Sequence, residues 1–210
     1  MKSSFTLSPL YETKRWPLFL LLCLISFLLL FVKKVFIESE TAAFEFLQGR
    51  PEGSILQILS GLQYLTIPVI YLWKLTVISF VVWIGCSMFG YKVSYAQCWQ
   101  VALVSEFIFA IPELIKILWF SMITTDPTLF EIQQFYPLSL ISFADPETLD
   151  KRFIYPLKAL NVFEIIYWLM LIFGVHYYAK KQIKISAIII ASSYVLMFFL
   201  WLIFYSIVYN

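Results

Sequence analysis

Apolar positions in this 210-residue chain gather in long blocks instead of alternating with polar ones. Crossing a hydrocarbon layer about 30 Å thick takes roughly 20 apolar helical residues. Five blocks approach that length, at about 17–32, 69–89, 96–120, 157–178 and 187–209. The first is bracketed by Lys14, Arg15 and Trp16 on one side and Lys33 and Lys34 on the other, residue types that mark membrane interfaces. Because its apolar run exceeds a secretory h-region and lysines follow it directly, it reads as an anchor and not a cleaved signal.

Two connecting stretches have patterns of their own. A single helix over 55–88 would be about 50 Å long, far more than a bilayer requires. Gly49-Arg50-Pro51-Glu52-Gly53 reads as a turn and Ser54 as a helix cap, after which Ile55, Ile58, Leu59 and Leu62 recur at helical spacing. The expectation is a short interfacial helix over about 54–65, turned into the membrane near Pro68. It lacks the Lys/Arg-rich face of a membrane-surface sensor, so it reads as a structural elbow. The longest connection, 121–156, contains Asp126-Pro127 and Asp145-Pro146 and mixes aromatics with polar groups. Disordered linkers are poorer in aromatics. Asp145 before Pro146 fits a cap with proline at the first helical position, which predicts short helices packed over one mouth of the bundle.

Composition turns these blocks into a class. The chain is 61% hydrophobic and 13% charged, against about a quarter charged in soluble domains. The predicted architecture is an all-α, polytopic integral membrane bundle of five transmembrane helices, forming one domain over 1–210. Orientation rests on basic residues. With the N-terminus inside, Lys2, Lys14, Arg15, Lys92, Lys180, Lys181 and Lys184 fall inside, and Lys33, Lys34, Arg50, Lys151, Arg152 and Lys158 outside. The short basic link 179–185 between two spans tips the balance to N-terminus inside and C-terminus outside. Cys23, Cys86 and Cys98 lie in or at the ends of spans without zinc-type spacing and read as small buried hydrophobes. His176 reads as an interfacial residue at the end of the fourth span.

The candidate chemistry lies where charge enters the apolar blocks. Glu106, Glu113 and Lys116 fall near one face of the third span, and Glu113 and Lys116 have the i,i+3 spacing of an ion pair. Glu106, deeper, requires a partner from elsewhere, for which Lys74 and, less directly, the amides of Gln97 and Gln100 are the candidates. Lys74, Glu113, Lys116 and Glu164 are expected to form one network in the outer half of the membrane. Intramembrane charges mark substrate or proton paths by default. Pro112 adds the feature of broken transporter helices. The competing reading is mutual neutralisation that holds the spans in register. Small residues at Gly85, Gly90, Gly174, Ala187 and Ala191, with Ser192 and Ser193, are candidates for close helix packing. No H-E-x-x-H, G-x-S-x-G or phosphate-binding glycine loop is present, and no basic aromatic surface suggests nucleic acid. The reading is non-enzymatic, with no metal and no cofactor.

The run Phe89-Gly90-Tyr91-Lys92-Val93-Ser94-Tyr95-Ala96-Gln97, followed by an apolar span with Pro112, resembles the second-to-third span region of the Yip (Ypt-interacting protein) family. The stretch 160–191 is similar to its fourth and fifth spans, through Phe163, Trp168, Leu171, Gly174 and the basic residues Lys180 to Lys184. The likeness covers roughly 17–209. Eukaryotic members sit in ER and Golgi membranes and engage prenylated Rab GTPases through a long cytosolic N-terminal region. Here residues 1–16 precede the first span, so the chain looks like the compact prokaryotic members and vesicle transport is not carried over. The activity of those members is generally unassigned, and the function expected here is that of a scaffold or accessory subunit that contacts lipid, other membrane proteins or further copies of itself. The expected location is the bacterial inner membrane in preference to ER or Golgi. The alternative is a small ion-coupled permease using the Glu/Lys cluster.

Overall fold

A computed structural model describes residues 8–38, 51–123, 128–144, 149–180 and 182–209. The described residues are 86% helical and form no strand. It is an all-α integral membrane protein, with four helices among the described residues long and apolar enough to cross a bilayer: Arg15–Ile37, Gly61–Met88, Val162–Ala179 and Ile183–Val208.

A short helix α1 (Ser8–Glu12) precedes α2 (Arg15–Lys33), which a π-helical turn at Lys34–Glu38 prolongs. Then comes α3 (Pro51–Met88), 38 residues without interruption. The expected turn at 49–53, interfacial helix at 54–65 and elbow near Pro68 are therefore not formed within the described residues, of which 49 and 50 are not part. A proline in a helix removes one hydrogen bond, but the freed polar groups are tolerated where side chains compensate. The Thr66 hydroxyl donates to the Gln63 carbonyl (2.8 Å), next in the chain to the Tyr64 carbonyl that an N–H at position 68 would bond. At 1.5 Å per residue α3 runs roughly 57 Å, so its N-terminal turns extend past the apolar layer that the stretch Gly61–Met88 fills.

The third block also departs from expectation. It divides into α4 (Tyr95–Glu106), a 3-10 turn at Phe107–Phe109 and α5 (Ala110–Met122). Ser94 and Gln97 form a reciprocal capping box that starts α4. The turn before it uses Gly90 at φ +71°, where a side chain would be strained. Every residue from Gln100 to Glu106 is buried, because α4 is the central helix and is packed on α1, α2, α3 and α8 (Val162–Ala179).

Across the expected cap lie α6 (Leu129–Gln134), a 3-10 turn at Leu140–Phe143 and α7 (Lys151–Ala159). Asp145 and Pro146, the expected cap pair, lie outside the described residues, as do Asp126 and Pro127; Asp150 caps α7 instead, accepting from the Arg152 N–H. The cap is tied to α8 by backbone bonds from Leu140 N–H to the Leu160 carbonyl (3.0 Å) and from Val162 N–H to the Leu138 carbonyl (3.1 Å). Helix α8 ends in a left-handed residue, Lys180, and the last span is built from α9 (Ile183–Ile190), a π turn at Ala191–Val195 and α10 (Leu196–Val208).

Two glycines permit close helix contact. A Cβ on Gly174 would sit 2.5 Å from Val101 Cγ1, and one on Gly85 would sit 2.7 Å from Ser193 Cβ. Of the other small-residue candidates, Gly90 has open space around it and serves the turn, Ala187 is half-buried, and Ala191 faces outward on the π turn. At the opposite end from the cap, α1 seals the bundle. Tyr11 is buried and stacks on Tyr177 with centroids 5.3 Å apart. Tyr178 donates to the Tyr11 carbonyl (2.7 Å), and Gln100 donates to the carbonyl of Leu10 (3.0 Å).

Candidate functional site

The deepest charges meet in the centre of the bundle. Glu106, the last residue of α4, is 2% exposed, and its Oε1 accepts a hydrogen bond from Lys74 Nζ on α3 in an ion pair buried on the carboxylate side. The Lys74 side chain is 39% exposed, and its ammonium lies 4.5 Å from the centroid of the Phe109 ring. That aromatic face supplies a second source of electrostatic stabilisation. The other carboxylate oxygen, Glu106 Oε2, is buried without a hydrogen-bond partner, as is the hydroxyl of Tyr167 on α8.

Glu164 stands beside this pair, within Coulombic range of both Lys74 and Glu106. It occupies the first turn of α8, where a carboxylate is favoured by the helix dipole. Its Oε1 accepts from the Trp168 indole N–H (2.8 Å) and from the Tyr194 hydroxyl (3.0 Å). The Asn161 side chain caps the same helix, accepting from the Glu164 N–H (2.9 Å) while its amide donates to the carbonyls of Lys158 and Ala159. Tyr167 connects the two carboxylates spatially, with its ring 5.1 Å from Phe109 and 5.4 Å from Tyr194. On the other flank of Lys74, Tyr71 and Ser26 share a 2.8 Å hydrogen bond that joins α3 to α2.

Glu113 and Lys116 belong to a separate layer nearer the cap. Lys116 is 3% exposed and donates to the Phe135 carbonyl beyond α6 (3.1 Å), with Phe135 stacked on Trp119 and edge-on to Phe120. Glu113 is half-buried, within Coulombic range of Lys158 and Tyr136. The residues expected to form one network are drawn out along the bundle: Glu106 bonds Lys74 near Glu164, Lys116 bonds the cap, and Tyr136 is within Coulombic range of Glu113, Glu164 and Glu106. The axial distance from Glu106 to Lys116, with seven α-helical and three 3-10 steps, is about 16 Å, too far for one hydrogen-bonded group.

Burial pushes the Lys158 ammonium below its ordinary pKa and the Tyr136 phenol above its own. On exposed α6 the Glu131 carboxyl is held below the ordinary value by hydrogen bonds from the Thr128 N–H and hydroxyl. Sequence reasoning did not single out Tyr167, Tyr194, Trp168 as a carboxylate partner, or Tyr71. Only the i,i+4 spacing of Glu164 and Trp168 could have signalled one of them. Cys86 and Cys98, separated in sequence by the α3–α4 turn, are both buried and free. Among the described residues no group of three His, Cys, Asp or Glu side chains is placed to hold a metal ion. The chain matches no family model, no curated protein and no solved structure.

Proposed function

We propose that the protein is a non-enzymatic membrane scaffold or accessory subunit whose intramembrane charges hold its helices in register. The observation that carries this reading is the pairing of Glu106 with Lys74 in the interior. A permease would be expected to keep such groups on a hydrated path, whereas here the two charges satisfy each other and an aromatic ring covers the cation. Five passes follow if α4 and α5 together form the third, with N-terminus inside and C-terminus outside; the basic link 179–185 supports that orientation. In this role its partners are lipid, other membrane proteins or further copies of the chain, and its location, by the likeness to compact prokaryotic Yip-type proteins, is the bacterial inner membrane.

The second reading, a small ion-coupled permease, draws on the helix break at Phe107–Phe109 next to Glu106 and on the unpartnered Glu106 Oε2 and Tyr167 hydroxyl. Replacing both charges, Lys74→Met with Glu106→Leu, separates the two. The scaffold reading expects the double variant to give the same cross-linked assemblies in the native membrane as the unaltered protein. Loss of solute or proton flux in proteoliposomes, with assembly intact, would favour the permease. Labelling of single cysteines placed at residues 2, 92 and 209 from either side of the membrane tests the topology.

A further inference from the structure

Charge is distributed unevenly between the two ends of the bundle. Near the cap, cations and acids are mixed: Lys151, Arg152 and Lys158 stand among Glu113, Glu131 and Asp150, and Arg152 pairs with Asp150 at 2.8 Å. The end that α1 closes is different. Lys14, Arg15, Lys92, Lys180 and Lys184 are all exposed there. Among the described residues at that end the one carboxylate is Glu12, which already accepts from the Tyr177 hydroxyl (2.6 Å). The cations of this end thus outnumber its acids five to one.

These cations come from separate helix ends at a common depth. Lys14 and Arg15 begin α2, Lys92 lies in the connection 89–94 between α3 and α4, Lys180 caps α8 and Lys184 is in the first turn of α9. Each is within four residues of the end of a stretch apolar enough to cross the bilayer. That is the level of lipid headgroups, and Trp16, 69% exposed, stands there as interfacial tryptophans do. The connections 89–94 and 180–182 are short, so they hold the cations against the bilayer instead of carrying them out to a soluble partner. The centre of this end is closed: Tyr11 is buried, stacks on Tyr177 and accepts at its carbonyl from Tyr178, and Arg15 lies within Coulombic range of that second tyrosine. Exposed positive charge around a closed centre serves the surrounding headgroups and not a solute entering the bundle.

We infer that this end of the bundle is an interaction surface for an anionic phospholipid leaflet, whose phosphates gather at the side chains of Lys14, Arg15, Lys92, Lys180 and Lys184. A basic residue just outside a span strengthens attraction to anionic headgroups by roughly fivefold. The attraction is lost beyond a Debye length, about 8 Å at physiological salt, and residues at span ends meet that limit. The inference goes beyond the scaffold reading and does not rest on it, because the same cations would meet the same leaflet if the interior carried a proton or a solute.

The test uses the full chain in nanodiscs of equal parts phosphatidylglycerol and phosphatidylcholine, so that both ends meet the same lipids, with a diazirine close to the headgroup of one lipid or the other. The ratio of glycerol-lipid to choline-lipid cross-links is expected to be at least about fivefold higher on residues 14–16, 92–95 and 180–184 than on the uncharged end of the last span, 201–208. High salt should bring the two ratios together. Neutralising the surface with Lys14→Gln, Arg15→Gln, Lys92→Gln, Lys180→Asn and Lys184→Gln in one chain should do the same. All of these side chains are exposed, and Asn tolerates the left-handed angle at position 180. The salt series on the unaltered protein decides the matter if that variant does not fold. Equal ratios at the two places, or a difference that neither salt nor neutralisation reduces, would overturn the proposal. So would a photoreactive side chain at residue 92 that, in the native membrane, links to another protein and not to lipid.

Discussion

If Lys74 and Glu106 exist to satisfy each other, removing either alone must do more harm than removing both. Lys74→Met strands a carboxylate whose side chain is 1% exposed; breaking a buried pair in this way destabilises by about 3–5 kcal/mol. Glu106→Leu strands the ammonium instead, but the Lys74 side chain is 39% exposed and keeps the Phe109 ring. Its long stem can reach a more polar level, so the loss should be smaller, roughly 1–3 kcal/mol. The double variant removes both charges and leaves apolar side chains of similar size, a change that is often neutral or stabilising. It should fall within about 1 kcal/mol of the unaltered protein or above it. The coupling between the two sites is then at least about 3 kcal/mol, more than a hundredfold in the folding constant. The assay is reversible unfolding in mixed micelles of mild detergent and dodecyl sulfate, followed by tryptophan fluorescence, for the two single variants and the double. A double variant that loses the sum of the two single losses would refute the reasoning, because the two groups would then be acting independently.

Other perturbations test other parts of the fold. Gly174→Ala places a Cβ 2.5 Å from Val101 Cγ1 and should destabilise by about 1–3 kcal/mol through overpacking; Val101→Ala in the same chain should recover most of that in the same unfolding assay. Asn161→Ala removes the α8 cap and its two bonds to the end of α7, with an expected loss of about 0.5–2 kcal/mol and faster amide exchange at Val162–Glu164. The Glu131 carboxyl is held below 4.5 by Thr128, so its contribution is complete above the ordinary carboxylate pKa and disappears as pH falls through the lowered value. Thr128→Ala should return the Glu131 titration, followed by carboxyl carbon chemical shift, to the ordinary range, and an unmoved titration would exclude the capping box as its cause.

Membrane character and helical class were legible because they depend on length and composition, which act over whole blocks. The first and last spans were placed within a few residues, since Lys14, Arg15, Lys33 and the link 179–185 bound them. Lys74 could be chosen as the partner for Glu106 because a buried charge requires an opposite one and few were available at similar depth. The aromatic surround was less accessible. Tyr167 and Tyr194 reach the carboxylates only through the packing of α8 against the last span, and nothing in their local sequence separates them from lipid-facing tyrosines. Small residues gave a mixed signal for the same reason. Gly85 and Gly174 sit at helix contacts, while Gly90 supplies a backbone angle, and composition does not distinguish those two uses.

The two span prolines show why local rules failed in opposite directions. Pro68 suggested an elbow, yet α3 continues through it. There the proline is only half-buried, and Thr66 satisfies a nearby carbonyl. Pro112 is buried in a crowded bundle, and the backbone before it tightens into a 3-10 turn, with the Ala110 N–H reaching back to the Phe107 carbonyl. That tightening has a geometric result. A 3-10 residue advances about 120° instead of about 100°, so three of them add roughly 60° of rotation. In an unbroken α-helix Glu113 would lie about 20° from the direction of Glu106 and Lys116 about 80° from it. With the added rotation Lys116 comes within about 20° and Glu113 moves to about 40° on the other side. The burial agrees, since Lys116 is as enclosed as Glu106 and Glu113 is only half-buried. The tightened turn before Pro112 thus brings Lys116, and not Glu113, round to the direction of Glu106, where Lys116 donates to the Phe135 carbonyl.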